Sequence, residues 1–169
     1  MQLGFRNVEM KDLEQIMPIE EAGFTPDEAA TKRAMIERIQ IIPDSFIVVE
    51  NKEQRVVGYV VGPVTEDRYI QDELFEKTKP NPIVGGFQTI LSLAIHPDFQ
   101  GAGIGQALLS ELSRACIERK REGITLTCLE RLIPYYEKNS FSNEGLSEST
   151  HGGEQWFNLV KELKQKKTK

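Results

Sequence analysis

The sequence predicts a mixed α/β (α+β) domain, and three observations carry that expectation. Two apolar runs of strand length, Phe46-Ile47-Val48-Val49 and residues 56–61 (interrupted by Gly58), flank the polar turn Asn51-Lys52-Glu53-Gln54, the pattern of an antiparallel hairpin over residues 45–63. A 3.6-residue period runs from Ile104 to Arg119, with Leu108, Leu109, Leu112, Ala115 and Cys116 on one face. Strand-like segments at residues 87–95 and 124–129 flank that helix, so a strand–helix–strand unit makes part of the sheet parallel. The 169 residues suit one domain, here residues 1–162 with a basic tail at 163–169. With 39% hydrophobic and 28% charged residues, such a chain can bury a core without staples.

The elements follow in order. Residues 2–8 read as a short strand. Residues 12–22 put Leu13, Ile16, Met17 and Ile19 at helical spacing, and Pro18 is expected to kink or break that helix. Thr25, Pro26 and Glu28 resemble an N-cap, a first-position proline and a capping-box acid, which predicts a second helix start there. Its apolar face would carry Ala30, Ala34, Met35 and Ile39. Residues 65–83 are polar and read as a loop with a helical turn at 71–75. Pro97-Asp98-Phe99 breaks the third strand, Gly123 ends the long helix, and Pro134 opens a short helix ending near Asn139. Residues 141–147 and 155–160 are the last strands, joined by a turn at His151-Gly152-Gly153.

Composition narrows the function. A net charge of −5 argues against a general nucleic-acid binder, and an acidic body suits a cationic substrate. No apolar run approaches the roughly 20 residues of a membrane helix, and the N-terminus lacks a signal-peptide core, so a cytoplasmic protein is expected. Cys116 and Cys128 sit in apolar surroundings and read as buried small hydrophobes. Neither they nor His96 and His151 form a metal set.

The chemistry begins at Gln100-Gly101-Ala102-Gly103-Ile104-Gly105. Alternate glycines between a strand and a helix let successive amides face one way, an anion nest at the positive helix end. A nucleotide P-loop needs Lys-Ser/Thr after its last glycine, but Gln106-Ala107 follows Gly105; a dinucleotide fingerprint needs glycine where Gln106 stands. A phosphate ligand of another kind, or a tight turn with no ligand, remains.

The stretch from Leu93-Ala94-Ile95-His96-Pro97 through the loop to Leu108-Leu109 closely resembles the coenzyme A signature of the GNAT acetyltransferases, with Gln100, Gly103 and Gly105 matching Gln/Arg-x-x-Gly-x-Gly/Ala. The element order from residue 2 to about 160 is similar to the family fold. Residues 127–128, 133–141 and Ile19-Glu20-Glu21-Ala22-Gly23-Phe24 are similar to the arylalkylamine (serotonin-type) branch, and Gly152-Gly153-Glu154-Gln155-Trp156-Phe157 to its bacterial members. The resemblance implies a mostly antiparallel sheet with a central, splayed parallel pair flanked by helices. It further implies acetyl-CoA as co-substrate, with no metal. The cofactor would touch Leu93, Ala94 and Ile95, the loop residues Gln100, Gly101, Ala102, Gly103, Ile104, Gly105 and Gln106, and Asn139.

Within that resemblance Tyr136 matches the tyrosine that protonates the departing thiolate, with Tyr135 as its rival and a core role for both as the alternative. The histidine pair that relays the amine's proton in the arylalkylamine branch would fall at Thr89 and Leu91, so that relay is missing. Glu20 or Glu21 could take the proton; His96 is a weaker candidate. Trp156, Phe157, Phe24 and Phe46 could line an acceptor pocket or simply pack. The expected partner is a small-molecule amine, with neither nucleic acid nor membrane, and a homodimer is left open. A non-catalytic acyl-CoA sensor and an enzyme for protein N-termini or lysines are the rival readings.

Overall fold

The computed structural model describes residues 2–149 and 151–163; the end of the expected basic tail, 164–169, lies outside the described residues. The first strand, β1 (Gly4–Asn7), leads into a turn capped reciprocally by Glu9 and Asp12. Asp12 accepts from Glu9 N at 2.8 Å and from both terminal nitrogens of Arg6 at 2.8 Å, which ties β1 to the start of α1 (Leu13–Gly23). Of the kink or break expected at Pro18, the break does not occur: α1 is continuous through it. Its ring is exposed, while Ile16 and Ile19 on the opposite face are fully buried. Burying two isoleucines offsets the roughly 3 kcal/mol that an interior proline costs.

The helix start expected at Thr25 is also corrected. Residues 25–29 close a single turn, with Glu28 N and Ala29 N both donating to Thr25 O, but the next amide is diverted. Ala30 N donates to the Glu20 carboxylate at 2.8 Å, so the chain leaves the helical path. Helix α2 (Lys32–Ile41) starts six residues later than expected, with Thr31 as the N-cap accepting from Ala34 N at 3.1 Å.

The hairpin forms as β2 (Phe46–Glu50) and β3 (Val56–Val61), antiparallel. Both strands are buried along nearly their whole length because helices cover both faces. Along β2, Phe46 and Val48 face the cluster under α1 and α2, while Ile47 and Val49 face the cluster under the long helix. A two-residue strand absent from the sequence reading, β4 (Val64–Thr65), follows, then a short helix, α3 (Glu73–Glu76), within the expected loop.

The third strand is split. Residues 87–90 form β5 (Phe87–Ile90), residues 92–95 form β6 (Ser92–Ile95), and Leu91 is the joint. Strand β6 pairs with β3, closing a β1-β2-β3-β6 sheet. Strand β5 instead pairs parallel with β7 (Gly123–Cys128), in register from Phe87↔Gly123 to Ile90↔Leu126. The second sheet runs β4-β5-β7-β9-β8, with β8 (Ser142–Leu146) and β9 (Phe157–Glu162) at its far edge. Between the parallel strands runs α4 (Ile104–Glu118), whose Leu108, Leu109, Leu112 and Cys116 are buried as the period predicts. Gly123 opens β7 instead of ending α4; Lys120, at φ 55°, makes the reversal.

The two sheets are stitched where β3 ends. Gln88 Nε2 donates to Gly62 O at 2.6 Å, and Thr89 donates to Pro63 O through both N (3.0 Å) and Oγ1 (2.7 Å). Gly62 must be glycine, because a Cβ there would overlap the Thr89 carbonyl. Among the described residues no helix is long and apolar enough to cross a membrane.

Candidate active site

Beyond Ile90↔Leu126 the parallel strands part. β6 goes with β3, while Thr127 and Cys128 stay on β9 opposite Asn158 and Phe157. The gap is a cleft of about 660 Å³, walled by Ile90–Ile95 residues on one side and 126–129 on the other. The open edge of β6 turns peptide groups toward the cleft. His96 N donates to Val57 O at 2.8 Å, and antiparallel alternation then turns Ala94 and Ser92 toward β3. The N–H and C=O groups of Leu93 and Ile95 are left on the cleft side, and Gln100 Nε2 reaches Ile95 O there at 3.4 Å.

One end of the cleft is the glycine loop. Gly101 and Gly103 adopt φ values of 81° and 77°, the left-handed region, with open space where a Cβ would stand. The demand for glycine is therefore conformational rather than steric. Gly103 is the N-cap of α4, and the first helical bond runs from Ala107 N to Gly103 O. The amides of Ile104, Gly105 and Gln106 accordingly point out of the positive helix end. Of the residues expected to hold the cofactor, Leu93, Ala94, Ile95, Gln100, Gly101, Gly103, Ile104, Gly105 and Gln106 line this cleft. Ala102 is exposed and off the lining; Asn139 instead caps the short helix α5 (Ile133–Lys138), donating from Nδ2 to Tyr135 O at 2.8 Å.

Helix α5 brings both tyrosines to the opposite wall. Tyr136 is buried, held edge-on between Tyr135 (centroids 5.2 Å apart) and Phe141 (5.6 Å). Burial pushes its phenol well above the ordinary value, so it keeps its proton. Tyr135 is more exposed, its phenol also raised by burial, and its hydroxyl lies where a Cβ on Gly105 would be. Cys128 lines the cleft too, but burial raises its thiol to about 12. A thiol held protonated in this way is a poor nucleophile.

The expected bases fall elsewhere. Glu21 is exposed and lines neither this cleft nor its neighbour. Glu20 is buried behind the cleft, accepting from Tyr59 Oη at 2.5 Å, Ser92 Oγ at 3.1 Å and Ala30 N. His96 caps the turn after β6, accepting from Asp98 N at 3.1 Å, and lies outside the lining. Thr89 is sealed in the seam between the sheets, and only Leu91 of that pair reaches the cleft. The carboxylate that does line the cleft is Glu28, the acid of the expected helix cap. It rests against Gly152 of the 151–153 turn, where an added Cβ would meet Glu28 Cγ at 3.2 Å. No local signal marks it; the contact joins segments over a hundred residues apart. Of the four aromatics, Phe24 and Trp156 line the cleft, whereas Phe46 and Phe157 pack into the core.

This arrangement is the setting for the comparisons with known proteins. Among solved structures, the fold is similar to the GNAT-like decarboxylase GphF in complex with isobutyryl-CoA (TM-score 0.80, 14% identity, 95% of this chain and 100% of that one). It is also similar to the loading GNATL domain of CurA from Lyngbya majuscula (0.77, 14%, 96% and 98%). A third is the ribosomal-protein-S18-alanine N-acetyltransferase from Escherichia coli (0.73, 15%, 98% and 97%). At these identities the likeness is one of fold. The sequence itself matches the family model of the acetyltransferase (GNAT) domain over residues 43–143, more than half of the chain, from β2 through the cofactor-type loop to α5 and β8. The chain belongs to the GNAT acetyltransferase family.

Proposed function

We propose that the protein transfers the acetyl group of acetyl-CoA to a primary amine by direct attack within a ternary complex. The carrying observation is a single cleft that runs from an amide nest to a buried, protonated phenol between splayed strands. The residues fit the cofactor. The amides of residues 104–106 would take its pyrophosphate, and the cleft-side peptide groups of Leu93 and Ile95 would pair with the pantetheine amides, the Gln100 side chain giving way at Ile95 O. Holding both reactants side by side supplies much of the acceleration.

The remaining chemistry falls to this chain's side chains. An ammonium entering from the Phe24–Trp156 side meets Glu28, which can accept its proton directly or through water. The neutral amine attacks the thioester carbonyl, the C–S bond breaks, the thiolate leaves with the proton of Tyr136, and the surplus proton on the new amide nitrogen restores the phenol. Tyr135 is the competing donor, nearer the glycine loop. The protonated Cys128 supports direct transfer over an acyl-thiol intermediate.

Thiol release from acetyl-CoA, followed over a panel of amines, amino acids and N-terminal peptides, tests the reading. Turnover of at least one amine is expected; tight cofactor binding with no turnover would leave an acyl-CoA sensor instead. The peptides are included because similar folds include Ard1 from Thermoplasma volcanium and the ribosomal-protein-S18-alanine enzyme.

A further inference from the structure

Beside the cleft lies a second, open hollow of about 750 Å³, bounded by Glu20 of α1, the turn at residues 26–31, helix α2, the end of α3, and Leu91–Ser92. Glu28, Phe75 and Leu91 belong to both walls, so the two spaces meet there. The hollow is polar, and Arg38 is the side chain in its wall whose bonding is incomplete. The residue is 2% exposed, and neither Nε nor Nη1 has a hydrogen-bond partner among the described residues. Its remaining nitrogen, Nη2, makes one long bond to Phe75 O at 3.4 Å.

A guanidinium has five N–H donors and normally uses most of them when buried. Glu20 offsets its charge, but the oxygens of Glu20 already accept from Tyr59, Ser92 and Ala30. Glu37, the residue before Arg38 on α2, accepts from Thr78 N at 2.6 Å. Arg38 is thus neutralised at a distance and unsatisfied at close range. Burial lowers its pKa against the pull of Glu20, the mark of a cation lacking close acceptors.

We propose that Arg38 is a binding residue for the carboxylate of the acceptor, and that the acceptor is therefore an amino carboxylate rather than a simple amine. The inference rests on the acetyl-transfer reading above and deepens it. The ligand's carboxylate replaces the Phe75 carbonyl as the acceptor of Arg38's donors. Its ammonium lies toward Glu28 and Asp27, at the junction with the acyl cleft. Five acidic residues against three basic ones line the hollow, which suits a zwitterion better than a dianion.

Two arms test this separately from the parent reading. In the binding arm, each of the twenty standard α-amino acids and its decarboxylated amine is titrated calorimetrically into CoA-saturated protein. At least one acid is expected to bind about tenfold or more tightly than its amine, the worth of a hydrogen-bonded charge pair. Arg38→Met should erase that difference and Arg38→Lys restore part of it, with CoA affinity and the melting curve checking that each variant folds. Equal binding of acid and amine by the wild type, no binding of any acid, or a preference that survives Arg38→Met overturns the proposal; the wild-type comparison needs no variant. In the turnover arm, KM for the preferred acid should rise in Arg38→Met while kcat holds. Faster acetylation of C-terminally amidated peptides than of any free amino acid would also overturn it. Absent turnover with the binding preference intact removes the acetyl-transfer reading and leaves the carboxylate site standing.

Discussion

At the glycine-loop end of the cleft, what is offered to a ligand is chiefly backbone: the amides of residues 104–106 and the open edge of β6 at Leu93 and Ile95. At the other end, what is offered is side chain: Glu28, Phe24, Trp156 and, behind them, Glu20 and Arg38. Backbone donors need only the right dihedrals, so two glycines at positive φ and a helix start suffice. Side-chain groups need distant segments to converge, and those at the surface of the cleft can be replaced with less consequence for the fold than the buried Glu20 and Arg38. Structures described as a decarboxylase, a loading domain and an N-acetyltransferase share this frame, so the fold alone does not set the reaction.

The sharpest way to break the comparison is at the wall between the two ends. Tyr136→Phe should lower kcat by roughly 10²-fold or more, the range for a lost general acid, while the Kd for acetyl-CoA measured by calorimetry stays within about twofold. Unchanged kcat would pass the role to Tyr135. The pH profile follows from the direction of the shift. The phenol acts while protonated, and burial carries its pKa above the ordinary value of about 10, so kcat should show no alkaline fall from this group below about pH 10. Stability gained by keeping the phenol neutral is complete below that value. It is lost as the pH climbs from there toward the folded-state pKa.

Next in size is the buried carboxylate. Glu20→Gln keeps the shape but removes the charge that balances Arg38, leaving a cation alone in the interior. A loss of about 3 kcal/mol is expected, seen as a lowered melting temperature, and CoA affinity should hardly move. If stability is unchanged, Glu20 and Arg38 are not a charge-balanced pair. At the donor end, Gly103→Ala should do the reverse. Forcing a Cβ into φ 77° costs about 1–2 kcal/mol, and the nest can relieve it by rotating its amides away. CoA should bind about tenfold more weakly, with kcat at saturation retained.

This asymmetry also explains what could be read from the sequence. The donor end was legible because its determinants are contiguous: Gln100 to Gln106 specify the turn, the helix start and the nest in one short run. The βαβ unit was legible for the same reason, through the α4 period and its flanking strands. The split of residues 87–95 at Leu91 was not, since it depends on Gly62 and Pro63 meeting Gln88 and Thr89 across the sheets. The helix misplaced at Thr25 has a related cause. Its local capping pattern is sound, but Glu20 takes the Ala30 amide, and a buried carboxylate outweighs a local propensity. Glu28 reads locally as a capping-box acid, and nothing in the sequence singles out Arg38, because the segments that place them in the walls of the cleft and the hollow are distant along the chain.

The smallest effect concerns the joint that holds the tyrosine helix in place. Ser140 follows α5 at φ 76°, and the chain turns there so that Phe141 N donates to Tyr136 O at 3.0 Å. This is the left-handed position that commonly ends a helix, and a serine pays strain there that glycine does not. Ser140→Gly should therefore stabilise the protein, by about 0.5–1 kcal/mol once the greater freedom of glycine in the unfolded chain is subtracted. A denaturant midpoint that rises with an unchanged slope is the expected reading. The Tyr136–Phe141 contact depends on this turn, so kcat should stay level in Ser140→Gly and fall in Ser140→Val, where a β-branched side chain resists the same φ. A valine variant as active as wild type would show that the aromatic wall keeps Tyr136 in place without help from the turn beneath it.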